Sequence, residues 1–309
     1  MSLTLKDILE ATQIESALRE SQYPLPMVQR KVEKMGATRG FLRALRQKNF
    51  SVIAEIKKKS PSMGVIAQSV INEAHEIYSA HPLVSAISVL TQSRYFGGSI
   101  DDLEAVRKFT QKRPKPILRK DFIFSEYEIY FSRWIGADAI LLMANVVEDK
   151  LQFKKFHDLA TSIGLDVLCE VHDAAEIEIL PETVKVCGIN SRRFKDTTQR
   201  KPKLLEMKEL LVGKRGENRD TQTDLNTFAL FDKLQGRLPP DCLKIAESGI
   251  SVTTIGDVLR KHSFNAALIG TSLLKSGSQM PKMLDRMQQE ASLALDPTLG
   301  SNSETSVAI

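Results

Sequence analysis

Long apolar runs are missing from this sequence. The longest covers residues 139–144, against the roughly 18 consecutive apolar residues that a membrane-spanning helix needs, so no membrane partner is expected. Cysteine is scarce. Cys169, Cys187 and Cys242 lie 18 and 55 residues apart and none belongs to a C-x-x-C pair, which excludes a disulfide framework and fits buried free thiols in a reducing cytoplasm. No secretory leader is expected either, because the start MSLTLKD puts no basic stretch before an apolar block. With 16 glycines and 12 prolines among 309 residues, a collagenous or low-complexity chain is excluded.

Charge of one sign is also lacking. Lys and Arg number 43 against 38 Asp and Glu, and there is one Trp beside 5 Tyr and 13 Phe. That composition offers no concentrated basic and aromatic face for nucleic acid, while a net charge of +5 suits a small anionic substrate. The histidines, His75, His81, His157, His172 and His262, show no metal-ligand spacing, so no metal is expected. Most of them are assigned to the surface, with His172 near the site derived below. No P-loop or dinucleotide fingerprint follows a strand.

What the chain does have is a recurring alternation. Short β-rich apolar runs fall at 52–56, 84–90, 116–118, 138–143, 166–169, 184–189, 243–246 and 266–269. Most gaps hold a helical pattern, at 99–109, 125–135, 149–163 and 253–261. Alternating strands and helices make parallel strands joined by crossovers, and eight such units predict a (β/α)8 TIM barrel. Residues 1–50 form a helical extension, with a helix over 5–20 stopped by Tyr23-Pro24-Leu25-Pro26 and a second helix over 28–47. One gap is anomalous: 195–224 carries eight Lys/Arg and six Asp/Glu and reads as a polar insertion with a short helix at 204–211. One domain is expected over 1–290, followed by a disordered tail at 291–309.

Active sites of such barrels lie at the C-terminal ends of the strands. The first strand ends in Glu55 and Lys57, which share a face because strand side chains alternate. An acid and a base inside a barrel mouth are costly unless they pair or work. Lys120 ends the third strand on the face of Leu118, where low-dielectric walls favour a proton donor. Glu170 ends the fifth, a carboxylate in an apolar strand suited to acid–base work. Asn190 ends the sixth and offers a donor and an acceptor. Small residues after the last two strands, in Glu247-Ser248-Gly249-Ile250 and Ile269-Gly270-Thr271-Ser272, let backbone N–H groups approach a phosphate. Ser99 after Gly97-Gly98 reads as a helix N-cap.

Taken together these segments resemble the indole-3-glycerol phosphate synthase family. The resemblance rests on VIAEIKKKSPS at 52–62, ISVLT at 87–91, YFGGS at 95–99, ILRKDFI at 117–123 and GADAILL at 136–142, then on LCEV at 168–171, GINSR at 188–192, ESGI at 247–250 and LIGTSL at 268–273. It implies a cofactor-free carboxy-lyase of tryptophan biosynthesis. The substrate would be 1-(2-carboxyphenylamino)-1-deoxyribulose 5-phosphate, closed to indole-3-glycerol phosphate with loss of CO₂ and water. It implies Lys120 as the general acid of ring closure and Glu170 as acid–base partner. Lys57 would hold the substrate carboxylate, Glu55 would tune that lysine, and Asn190 would hold hydroxyls. Ser248, Gly249, Gly270 and Thr271 would take the phosphate, with Ser60 and a strand-1 lysine nearby, Phe96 and Leu142 would line the aromatic slot, and Arg192 would support the polar side. Thr271 stands where the family commonly has serine and keeps the hydroxyl. The chain would act as a monomer or homodimer. Another phosphate-handling barrel enzyme would not need Glu-x-Lys and Lys-Asp-Phe together, and a non-catalytic binding protein would be favoured by a lost catalytic position, of which there is none.

Overall fold

The computed structural model describes residues 3–60, 64–194, 222–224 and 226–296, without the side chains of Ser60 and 222–224. Eight parallel strands close on themselves in the order β1-β12-β11-β8-β7-β6-β5-β4. They are β1 (Ser51–Ile56), β4 (Val84–Leu90), β5 (Ile117–Lys120), β6 (Ala139–Met143), β7 (Asp166–Val171), β8 (Val186–Asn190), β11 (Leu243–Glu247) and β12 (Ala266–Ile269). Two short antiparallel pairs stand apart from the barrel: β2 (Lys59–Ser60) with β3 (Gly64–Val65), and β9 (Arg192–Phe194) with β10 (Gln222–Asp224). The eight runs read from the sequence are the eight barrel strands.

The strands are apolar on both faces because both are covered. One set of alternate residues, including Ile53, Ala86, Leu118, Leu141, Leu168, Ile245 and Leu268, packs inside the barrel. The other, including Val52, Ala54, Ile87, Ile140, Leu142, Ile189 and Ala246, packs outward in a separate cluster with residues of the helices. Ser99, Ser125 and Asp149 cap the helices Ile100–Phe109, Glu126–Trp134 and Lys150–Ser162, each accepting a backbone N–H three residues on. The connection between β7 and β8 contracts to one turn, Ala174–Ile177.

The extension differs from expectation at one place. The first helix, Leu5–Gln22, ends before Pro24 as anticipated. The single helix expected over 28–47 is instead two, Leu25–Val32 and Phe41–Arg46. Gly36 and Gly40 lie between them, and Gly40 has φ +74°, the left-handed conformation that starts the second helix in a new direction. That turn lets the backbone N–H of Leu42 bond Asp166 and that of Arg39 bond Asp138 at the strands' N-terminal ends. Phe41 and Leu45 then plug the closed end of the barrel.

Two further assignments are corrected. The last helix is Met280–Leu295, with Ala291 buried, so residues 291–295 are not tail; 297–309 lie outside the described residues. All five histidines are buried rather than at the surface. His75 packs 4.9 Å from the Phe109 ring and His262 5.7 Å from Phe231, while His81 and His157 face Asp285 and Asp158. An imidazole carries enough apolar surface to pack against such rings. The short helix expected at 204–211 lies outside the described residues.

Candidate active site

A cavity of about 370 Å³ opens at the C-terminal mouth of the barrel. Strand alternation fixes its floor: Glu55, Lys120, Glu170, Asn190 and Glu247 all hold inward positions at or near the ends of β1, β5, β7, β8 and β11. Lys57 follows two residues beyond Glu55 and pairs back to it, Nζ to Oε1 at 2.6 Å. Lys120 Nζ lies 3.0 Å from Glu170 Oε2 and 3.3 Å from Glu247 Oε2.

Burial would strip the charge from each of these groups, and their mutual fields decide which keep it. For Lys120 burial opposes the ammonium, but Glu170, Glu247 and Glu55 outweigh it and raise its pKa. Burial likewise opposes Glu170's charge, yet Lys120 and His172 bring its pKa down to about 2. Glu55 is also held below the usual carboxylate range, its burial outweighed by Lys57 and Lys120. Glu247 goes the other way: burial, with the neighbouring Glu170 charge, raises it well above that range against the pull of Lys120. These fields keep the proton on Lys120, favour the ionised form of Glu170 and favour the protonated form of Glu247.

Two glycines make room for this cluster. A Cβ at Gly188 would lie 2.0 Å from Glu247 Oε1, and one at Gly270 would lie 2.5 Å from Glu55 Oε1. Asn190 Oδ1 accepts from the Arg192 amide at 3.0 Å and from Ser248 Oγ at 2.8 Å, which turns its amide group to a fixed orientation at the rim. Ser248 (φ +66°) and Gly249 (φ +70°) form a left-handed pair directly after β11. A serine in that conformation is strained. Thr271 Oγ1 is buried without a protein partner. Phe96, Phe122 and Phe194 surround the opposite side, with ring centroids 5.8 to 6.3 Å apart.

A family model described as indole-3-glycerol phosphate synthase matches residues 5–216. A protein of that name from Caldanaerobacter subterraneus is 37% identical over 76% of this chain and 80% of its own. Another from Bacteroides thetaiotaomicron is 31% identical over 88% of this chain and 93% of its own. The chain belongs to the indole-3-glycerol phosphate synthase family. A crystal structure of 3-hexulose-6-phosphate synthase is 13% identical with a TM-score of 0.51, covering 78% of this chain and 99% of that one, and shares the barrel fold.

In this member of the family the cavity brings together Glu55, Lys57, Lys120, Glu170, Asn190, Phe96, Arg192, Ser248, Gly249, Gly270 and Thr271. Two anticipated residues stand apart. Leu142 is fully buried in the outer layer and does not line the cavity. Its neighbours Leu141 and Met143 do, because a one-residue difference along a strand reverses the face. The backbone of Ser60 pairs with Gly64, while its side chain lies outside what the structure describes. Glu247, Phe122, Phe194 and Lys275 line the cavity without having been singled out. Alternation would have found three of them: Glu247 shares the parity of Ile245, Phe122 that of Lys120, and Phe194 that of Asn190. Lys275, on the short helix after β12, carries no such signal.

No helix among the described residues is long and apolar enough to cross a membrane.

Proposed function

We propose that this cavity converts 1-(2-carboxyphenylamino)-1-deoxyribulose 5-phosphate to indole-3-glycerol phosphate, the reaction its family name denotes. The observation that carries the proposal is the convergence of Glu55, Lys57, Lys120, Glu170 and Asn190 on one cavity in a chain of this family.

Lys120 donates to the ketone oxygen of the substrate as the aromatic carbon bearing the carboxylate bonds to the ketone carbon. The site supports that role, since an ammonium framed by two carboxyls, and buried from water, stabilises charge developing on that oxygen. Lys57 holds the substrate carboxylate until it leaves as CO₂, with Glu55 fixing the lysine. The new hydroxyl then departs as water. It takes a proton from one of the two lysines, and Glu170 accepts the proton released as the indole ring forms. Asn190 and Arg192 hold the sugar hydroxyls. The phosphate rests at Ser248, Gly249, Gly270 and Thr271, with Lys275 as a nearby cation. The phenyl ring of the substrate lies among Phe96, Phe122 and Phe194.

The partner on this reading is a small phosphorylated molecule, and the chemistry as assigned calls for no cofactor, nucleic acid or membrane. The enzyme works in the cytoplasm, where its three cysteines stay thiols. It acts as a monomer or homodimer. Release of one CO₂ for each indole formed from this substrate supports the proposal. CO₂ release without an indole product, or neither, contradicts it.

A further inference from the structure

A chain of charged side chains runs from Glu170 away from the cavity, and the reaction as assigned gives it nothing to do. Lys120 meets Glu170 at Oε2. At the other oxygen, Oε1, stands His172, whose Nε2 lies 3.3 Å away. His172 is 1% exposed and does not line the cavity. Its Nδ1 lies 3.1 Å from Glu176 Oε2, and the same oxygen accepts the His172 backbone N–H at 2.7 Å. Glu176 Oε1 in turn accepts from Arg193 Nη2 at 2.9 Å, and Arg193 Nη1 donates to Asp173 at 2.8 Å.

The arrangement exceeds what packing requires. A histidine that served only to close the turn after β7 would be satisfied by Glu176, which already takes its amide and faces one ring nitrogen. Here the second ring nitrogen lies 3.3 Å from Glu170 Oε1, an oxygen that meets no protein donor with full hydrogen-bond geometry. The ring therefore stands against one side of the carboxylate as Lys120 stands against the other. The remaining charged or titratable groups around Glu170 are Glu247 from β11 and Glu55 from β1, and Lys120 is the cation that answers them.

We propose that His172 is a positioning residue for Glu170: held by Glu176, which Arg193 anchors in turn, it limits where the carboxylate can turn and keeps it aimed at Lys120. The inference rests on the synthase reading for the role of Glu170, but the geometry it invokes does not.

The test pairs kinetics with a direct view of the ring. In a folded His172→Gln variant, kcat falls by about tenfold or more because the base is left unaimed, while KM stays near the wild-type value. The acidic loss of kcat also begins at least about one pH unit higher, because a neighbour that lowers the carboxylate's pKa has gone. Arg193→Gln, at a half-exposed residue, moves both quantities in the same direction by less. In histidine ring NMR spectra of the wild type, one ring responds to both Glu176→Gln and Glu170→Gln. A folded His172→Gln variant with wild-type kcat and acidic limb overturns the proposal, as does a His172 ring that Glu170→Gln leaves unchanged. Wild-type protein that fails to turn over the substrate, yet shows the ring responding to Glu170→Gln, contradicts the assigned reaction and leaves the His172–Glu170 contact standing.

Discussion

Glu170 and Glu247 share one ammonium group. Lys120 Nζ lies 3.0 Å from the first and 3.3 Å from the second, yet the two carboxyls are driven in opposite directions: Glu170 below the usual carboxylate range, Glu247 well above it. One cation cannot hold two buried carboxylates ionised, and the split between them separates a base from an acid at neutral pH.

The split predicts unequal mutants. Glu247→Gln replaces a carboxyl that is already protonated with a neutral group of the same shape, whereas Glu170→Gln removes the base. Steady-state kinetics should give Glu170→Gln a kcat lower than that of Glu247→Gln by at least about 10²-fold, the span of one positioned proton-transfer group. Equal losses would show that both carboxyls are ionised.

The same split has a sign in stability. Glu247 keeps a proton in the folded state that the unfolded chain sheds above the ordinary carboxylate pKa. Folding therefore loses stability as pH rises through that window, by up to about 1.4 kcal/mol per pH unit for one proton. Glu247→Gln lacks the liability. Its stability relative to wild type, followed by thermal melts from pH 5 to pH 8, should climb with pH. A constant difference across the range contradicts a raised pKa at Glu247.

Gly188 supports the site without touching substrate. A methyl group there would fall 2.0 Å from Glu247 Oε1, so Gly188→Ala must displace that side chain or the strand. A shift of about 1 Å at such a site costs up to about 10² in rate. Turnover of Gly188→Ala should fall by roughly that factor while the protein remains folded by circular dichroism; unchanged kinetics would mean that Glu247 swings aside freely.

Leu141 and Leu142 offer a paired test of strand register. Leu142→Ala opens a hole in the layer between barrel and helices and should lower stability by about 2–5 kcal/mol with little change in KM. Leu141→Ala, at the cavity wall, should alter KM for the substrate. Denaturant unfolding and kinetics on both variants distinguish the faces, and the reverse pattern would place Leu142 in the site.

Much of this molecule is legible in its residues. Apolar runs with helical patterns in most of the gaps can only be buried on both faces as parallel strands, so the barrel and the polar strand ends follow. Leu142 fails by one position because a run such as AILLM has no polar residue to mark which face is inward. Glu247 is hidden by the small residues after it, which point to phosphate rather than to the carboxyl before them. The histidines are misplaced because a polar residue without a motif defaults to the surface, while the partners that bury them are distant in the chain. The break in the second helix turns on the left-handed φ of Gly40, which composition does not announce. Arg119, fully buried beside Lys120, points outward to Glu128 and Asp121, a pairing visible only once the helix Glu126–Trp134 is folded against β5.

The most direct test of the account is to mix the purified protein with 1-(2-carboxyphenylamino)-1-deoxyribulose 5-phosphate and follow indole fluorescence, beside a Lys120→Ala variant shown to be folded. The account predicts a steady rise with the wild type and none with the variant. A folded wild type that gives no rise, or a variant that matches it, would contradict the assignment of this cavity and of the lysine at its centre.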